Sequence, residues 1–149
     1  MKLNLLLVVI DPSRPTQPAL ERATWLARKS GATLELLVCE YHVALEGSSL
    51  LHPGSHDKAR EQLIEQRQAW LESLAQPLRD QGLQVQTCVR WGKPLHELVL
   101  KRADELKPDM LFKAASEHGA LRRLFLGNSC WQLIHHSTTP LWLVHHGEF

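Results

Sequence analysis

This chain has no apolar stretch long enough to cross a bilayer. Its longest nearly apolar run, Leu3–Ile10, is cut by Asp11-Pro12, whereas a helical span needs about 20 such residues. The run also lacks a small-residue cleavage site, so no signal peptide is read and the cytoplasm is the expected location. Cysteine is scarce. Cys39, Cys88 and Cys130 lie far apart with no CxxC spacing, which argues against a disulfide framework or a zinc site and fits a reducing compartment. Charge of one sign is also missing. The net charge is +1, so no basic field invites nucleic acid or an anionic membrane.

Catalytic signatures are absent as well. There is no GxSxG elbow, no lysine following a glycine loop and no conspicuous pair of carboxylates, so an enzyme is not expected. The nine histidines do not make a metal motif. Pro53-Gly54 separates His52 from His56, while His135-His136 and His145-His146 are adjacent and tend to point apart. No Gly/Ser linker, repeat or low-complexity tract divides the 149 residues, a length suited to one domain spanning 1–149.

What is present is an alternation of strands and helices. Leu3–Ile10 reads as a central strand buried on both faces. Pro15 and Pro18 bracket a helix start, and Lys29-Ser30-Gly31 supplies its stop. Thr33–Val38 is a second strand, followed by a long loop over Glu40–Ser55. A helix runs from about His56 to Asp80, with a stripe of Ala59, Leu63, Trp70, Leu74 and Leu78 that Ile64 and Leu71 widen. Pro77 is expected to loosen its last turn. Gln84–Arg90 alternates polar and apolar residues, as an edge strand does. Pro94 opens a helix to Leu106, and Asp109–Ala114 is the fourth strand. A short helix at about Asn128–His136 and a strand at Leu141–Val144 finish the chain. Crossovers of this length imply an α/β fold, one parallel sheet with helices on both faces. The five tryptophans are mostly core candidates, while Trp142 in the last strand is a candidate for an interface.

The stretch Asp109–Ser129 is the most informative for function. A strand, a loop and a helix N-terminus in succession are where phosphates commonly bind, because helix starts expose unpaired N–H groups at a positive dipole end. The ends of the first and fourth strands, this loop and the closing TPLWLV resemble the universal stress protein family. That family's nucleotide signature is an Asp ending the first strand, then G-x2-G-x9-G-(S/T) after the fourth. Asp11 matches the Asp, and Gly127 the third glycine. Counting back places Ala114 and Glu117 at the two leading glycines, with Asn128 at the Ser/Thr and Ser129 one residue later. VVIDP…QPALERA, LIEQRQAW, VRWGKP and CWQLI…TPLWLV are similar to the first half of the E-type tandem-domain members.

The resemblance implies a five-stranded Rossmann-like sheet of order 3-2-1-4-5, with ligands at the switch point between the first and fourth strands. The candidate crevice comprises Asp11, Lys113, Ala114, Glu117, Arg122, Arg123, Gly127, Asn128 and Ser129. Glycine lets backbone approach phosphate closely, and two of those glycines are replaced. A Glu117 carboxylate about 4 Å from a phosphate charge would cost about 4 kcal/mol at an effective dielectric of 20, or about three decades of affinity. No cofactor is therefore assigned, with ATP as the alternative. Lys113 is expected to pair with Asp11, with Glu117 and Glu40 as the next carboxylates, and to fill space that adenosine takes in nucleotide-binding relatives, since a buried ammonium needs a partner. The functional expectation is a non-enzymatic stress-response domain. It would act through a homodimer or a second stress-protein domain at the C-terminal strand, and would hold a small-molecule ligand in the crevice or in the Glu40–Ser55 loop region. The alternative is a nucleotide-binding switch with weak or no ATPase activity.

Overall fold

The computed structural model describes residues 2–42, 53–115 and 128–145, with residues 53–56 described by backbone alone. The first strand, β1 (Leu5–Val9), lies at the centre of a sheet of order β3-β2-β1-β4-β5. Its apolar run has a direct cause. Leu6 and Val8 enter one core and Leu7 and Val9 the other, so both faces of the strand are covered. The remaining strands are β2 (Thr33–Glu40), β3 (Val85–Trp91), β4 (Met110–Ala114) and β5 (Leu141–Val144). All pairings are parallel, with Val8 opposite Leu36 on one side and Phe112 on the other.

Two helices close the first core. In α1 (Pro18–Ser30), Ala19, Ala23 and Ala27 are buried at four-residue spacing, small enough to bring the helix close to the sheet. It starts at Pro18 and ends at Gly31, whose φ of 77° is the left-handed cap and whose N–H donates to the Ala27 carbonyl. The long helix α2 (Pro53–Asp80) contributes Leu71 and Ala75 to the same core. The second core is covered by α3 (Leu95–Leu106), through Val99 and Ala103, and by α4 (Asn128–His136), through Leu133.

The three-layer α/β fold is the one the sequence pattern implies, and the strand order is the one the family resemblance implies. Several details differ. The α2 helix begins at Pro53, inside the segment read as loop, and continues through Pro77 to Asp80. Its buried line centres on Leu71 and Ala75, with Trp70, Leu74 and Leu78 only partly covered at the margin. Trp25 and Trp131 are 54% and 45% exposed, so these two are surface residues and not core. Trp142 packs on Phe112 with ring centroids 5.2 Å apart.

Strand β2 also carries an acid that its apolar pattern conceals. Glu35 is buried, and Arg102 of α3 donates to both of its carboxylate oxygens. These two bonds are the main reason that the Arg102 guanidinium holds its proton more tightly than usual.

Candidate functional site

The switch point falls between β1 and β4, which pair in parallel. The helices that follow them pack on opposite faces, α1 in the first core and α4 in the second. Beyond the carboxyl ends of these strands is a cavity of about 160 Å³, bordered by Ile10, Asp11, Arg14, Cys39, Lys113 and Ala114. A second cavity, of about 400 Å³, adjoins it and shares Asp11, Pro12, Cys39 and Leu95. This one extends past Glu40, Tyr41, His42 and Arg67 to Lys93, at the ends of β2 and β3.

Asp11 sits where β1 ends, and a local turn engages its carboxylate. Ser13 donates from its backbone N–H at 3.0 Å and from its hydroxyl at 2.6 Å, and Arg14 Nε lies 3.8 Å away. Its backbone is clamped by Gln17, whose amide accepts the Asp11 N–H at 3.0 Å and donates to the Asp11 carbonyl at 2.6 Å. Lys113 is only 5% exposed. Its Nζ donates to the Ala114 carbonyl at 3.0 Å and lies 3.4 Å from Cys130 Sγ on α4.

The expected Lys113–Asp11 pair is therefore corrected. Both residues border one cavity, but among the described residues no ion pair joins them. The physical reason is proximity. Asp11 finds Ser13 and Arg14 within its own turn, and Lys113 finds a carbonyl on the next residue. Ala114 contributes that carbonyl. Asn128 and Ser129 open α4, the former exposed and the latter half-buried. Glu117, Arg122, Arg123 and Gly127 lie outside the described residues.

Sequence reasoning pointed to the Glu40–Ser55 loop region but missed the β3-end residues that complete the second cavity. Glu40, 13% exposed at its side chain, accepts from Arg67 at 2.8 Å and lies 3.1 Å from His42. Lys93 Nζ sits 4.9 Å above the Tyr41 ring, and Tyr41 lies 6.0 Å from Trp91. The signal was a cluster of polar and aromatic residues at two strand ends, Glu40-Tyr41-His42 and Trp91-Gly92-Lys93. Strand order alone brings those clusters together. Cys39, between the two cavities, has its thiol pushed up to about 12 by burial, with neighbouring Cys88 adding to the effect. Among the described residues, no group of three metal-ligating side chains gathers and no helix is long and apolar enough to cross a membrane.

Parallel order 3-2-1-4-5 with a crevice at the switch point defines a Rossmann-like α/β class of domain. The sequence profile of the universal stress protein family matches residues 4–145, and the chain belongs to that family. It is 31% identical over 139 residues to universal stress protein E of Photorhabdus laumondii, covering 93% of this chain and 44% of that one. The chain thus spans less than half the length of that relative. A protein of unknown function from Pseudomonas aeruginosa PAO1 shares the fold with a TM-score of 0.73 and 26% identity, over 95% of this chain and 42% of that one. A universal stress protein solved in complex with cAMP has a TM-score of 0.66 and 20% identity, over 99% of this chain and all of its own.

Proposed function

We propose that this domain serves in a bacterial stress response without turnover, by holding a small ligand in the switch-point crevice and by associating through β5. The observation that carries the ligand reading is the buried Lys113 ammonium at the wall of a cavity it shares with Asp11 and Arg14. A lysine kept at a strand end beside a cleft is a means of recognising an acceptor or an anion. The smaller cavity, at about 160 Å³, is below the ~300 Å³ at which drug-sized ligand sites begin. A nucleotide would need the adjoining space as well. That larger reading is the alternative, a nucleotide-binding switch. It draws on the fold shared with the protein solved with cAMP.

Thermal unfolding with Mg-ATP, and separately with cAMP, tests both readings. A ligand at 100 times its dissociation constant adds about 2.7 kcal/mol, which for a domain of this size raises the midpoint by roughly 5–10 °C. A shift of that size that Lys113→Met abolishes favours the nucleotide. No shift at millimolar concentration of either leaves the small-ligand reading and rejects the switch.

Association is proposed at β5, the edge strand carrying half-buried Leu141 and Leu143. The partner is a second copy or a second stress-protein domain. Sedimentation of the parent and of Leu143→Lys tests this: a parent dimer converted to monomer supports it, and a monomeric parent rejects self-association. The three free thiols fit a cytoplasmic setting.

A further inference from the structure

The cavity of about 400 Å³ at the ends of β2 and β3 lies within the ~300–1,000 Å³ of small-molecule sites. The ladder between the two strands builds it. Glu40 pairs with Trp91, and one step further Gly92 donates its N–H to the Glu40 carbonyl at 3.0 Å. Gly92 does so at a φ of 145°, a backbone conformation that favours glycine. The next residues on each strand, Tyr41 and Lys93, are thereby brought together on the cavity wall.

The charges on that wall are not equally committed. Ser13 donates twice to the Asp11 carboxylate, which also faces Arg14 at 3.8 Å. Glu40 accepts from Arg67 at 2.8 Å and lies 3.1 Å from His42. Lys93 differs. Among the described residues no carboxylate forms an ion pair with it, and its Nζ rests 4.9 Å from the centre of the Tyr41 ring. A ring face attracts an exposed ammonium only weakly and leaves its charge in place. The cavity therefore presents a solvent-accessible cation beside the flat apolar surfaces of Tyr41 and Pro12 and the side chain of Leu95.

We infer that this cavity binds a small aromatic carboxylate, with its negative charge on Lys93 Nζ and its ring against Tyr41, Pro12 and Leu95. A phosphate dianion would ask for a second uncommitted cation, and Arg67 is already held by Glu40. A neutral ring would have only the apolar area removed from water to bind it. The inference does not rest on a ligand at Lys113.

The test is calorimetric titration of the full chain with 2-naphthoate and with its neutral counterpart 2-naphthamide. One naphthoate site per chain is expected, with the amide about tenfold weaker. Lys93→Met should weaken naphthoate about tenfold, the order of a hydrogen bond to a charged group, and leave the amide unchanged. Tyr41→Ala should weaken both, with the far-ultraviolet circular dichroism unchanged. Lys113→Met should leave naphthoate affinity as it is. Absence of saturable naphthoate binding, equal affinity for acid and amide, or unchanged naphthoate affinity in Lys93→Met or Tyr41→Ala would overturn the assignment. So would loss of naphthoate binding in Lys113→Met, because the carboxylate would then sit in the crevice.

Discussion

Arg102 grips Glu35 through Nε and Nη2, each 2.7 Å from a different carboxylate oxygen, and so pins α3 to β2 across 67 residues of sequence. The carboxylate side chain is 2% exposed and the guanidinium 18%. Arg102 also donates to Glu105, which accepts from Arg90 on β3. Two charges withdrawn from water do little for net stability, but removing one strands the other. Glu35→Ala or Arg102→Ala alone should cost about 3–5 kcal/mol. Glu35→Met with Arg102→Met should return to within about 1 kcal/mol of the parent. Urea unfolding of the four proteins measures this, and additive losses in the double variant would contradict it.

Asp109 predicts an acid-sensitive joint. Its Oδ2 accepts the backbone N–H groups of Asn4 at 2.7 Å and Leu5 at 3.0 Å, and these bonds hold its carboxyl below the ordinary aspartate range. A depressed folded pKa contributes stability in full above the unfolded value and loses it as pH falls through the folded one. The loss should therefore begin near pH 4 and continue below it. Glu72, lowered first by Arg79 and then by Thr87, acts in the same direction. Asp109→Asn should cost about 1–2 kcal/mol at pH 7 and flatten the acid limb. Unfolding midpoints from pH 7 to pH 2.5 would show an unchanged slope if this joint were unimportant.

Much of the fold could be read from the chain, because the strands declare their surroundings. Unbroken apolarity in Leu6–Val9 marks a strand between two cores, and the alternation in Gln84–Arg90 marks β3 as an edge. The last helix and strand fall at Asn128–His136 and Leu141–Val144 as read. Long-range partners were less legible. Nothing local in Thr33–Glu40 says that Glu35 meets an arginine on α3, and Pro53-Gly54 resembles a loop although α2 starts there. Lys113 was recognisable as an unusual strand-end charge. That it would not pair with Asp11 was harder to see, because Asp11 finds nearer partners within its own turn.

Thiol labelling should separate Cys39 from an ordinary cysteine. With its thiol raised from 9.0 to about 12, the thiolate fraction near pH 8 falls by about three decades, and alkylation falls with it. Iodoacetamide at pH 8 followed by peptide mass spectrometry should leave Cys39 unmodified in the folded chain and label it fully in urea. Labelling in minutes without urea would refute this.

The tryptophan placements give a contrast. Trp25→Ala should change stability by no more than about 0.5 kcal/mol, because the ring is 54% exposed. Phe112→Ala removes a ring that is 0% exposed and packed on Trp142, and should cost about 3–5 kcal/mol. Comparable losses by urea unfolding would mean that Trp25 is covered in solution, which would point to a partner on α1.

The central position of β1 sets an order of events during synthesis. Within this domain, translation delivers the innermost strand before α1, β2, α2 and β3, all by Trp91. A nascent chain of that length can close one side of the sheet, with the first core largely assembled. The other edge of β1 waits for β4, whose joint at Asp109 is 105 residues from Asn4. Leu7 and Val9 wait as well, for α3 and α4. Because chains emerge N-terminus first, a ribosome stalled between β3 and β4 would present an unpaired strand edge beside a bare apolar face, the combination most prone to aggregation. The half-made domain should therefore be the form that chaperones hold.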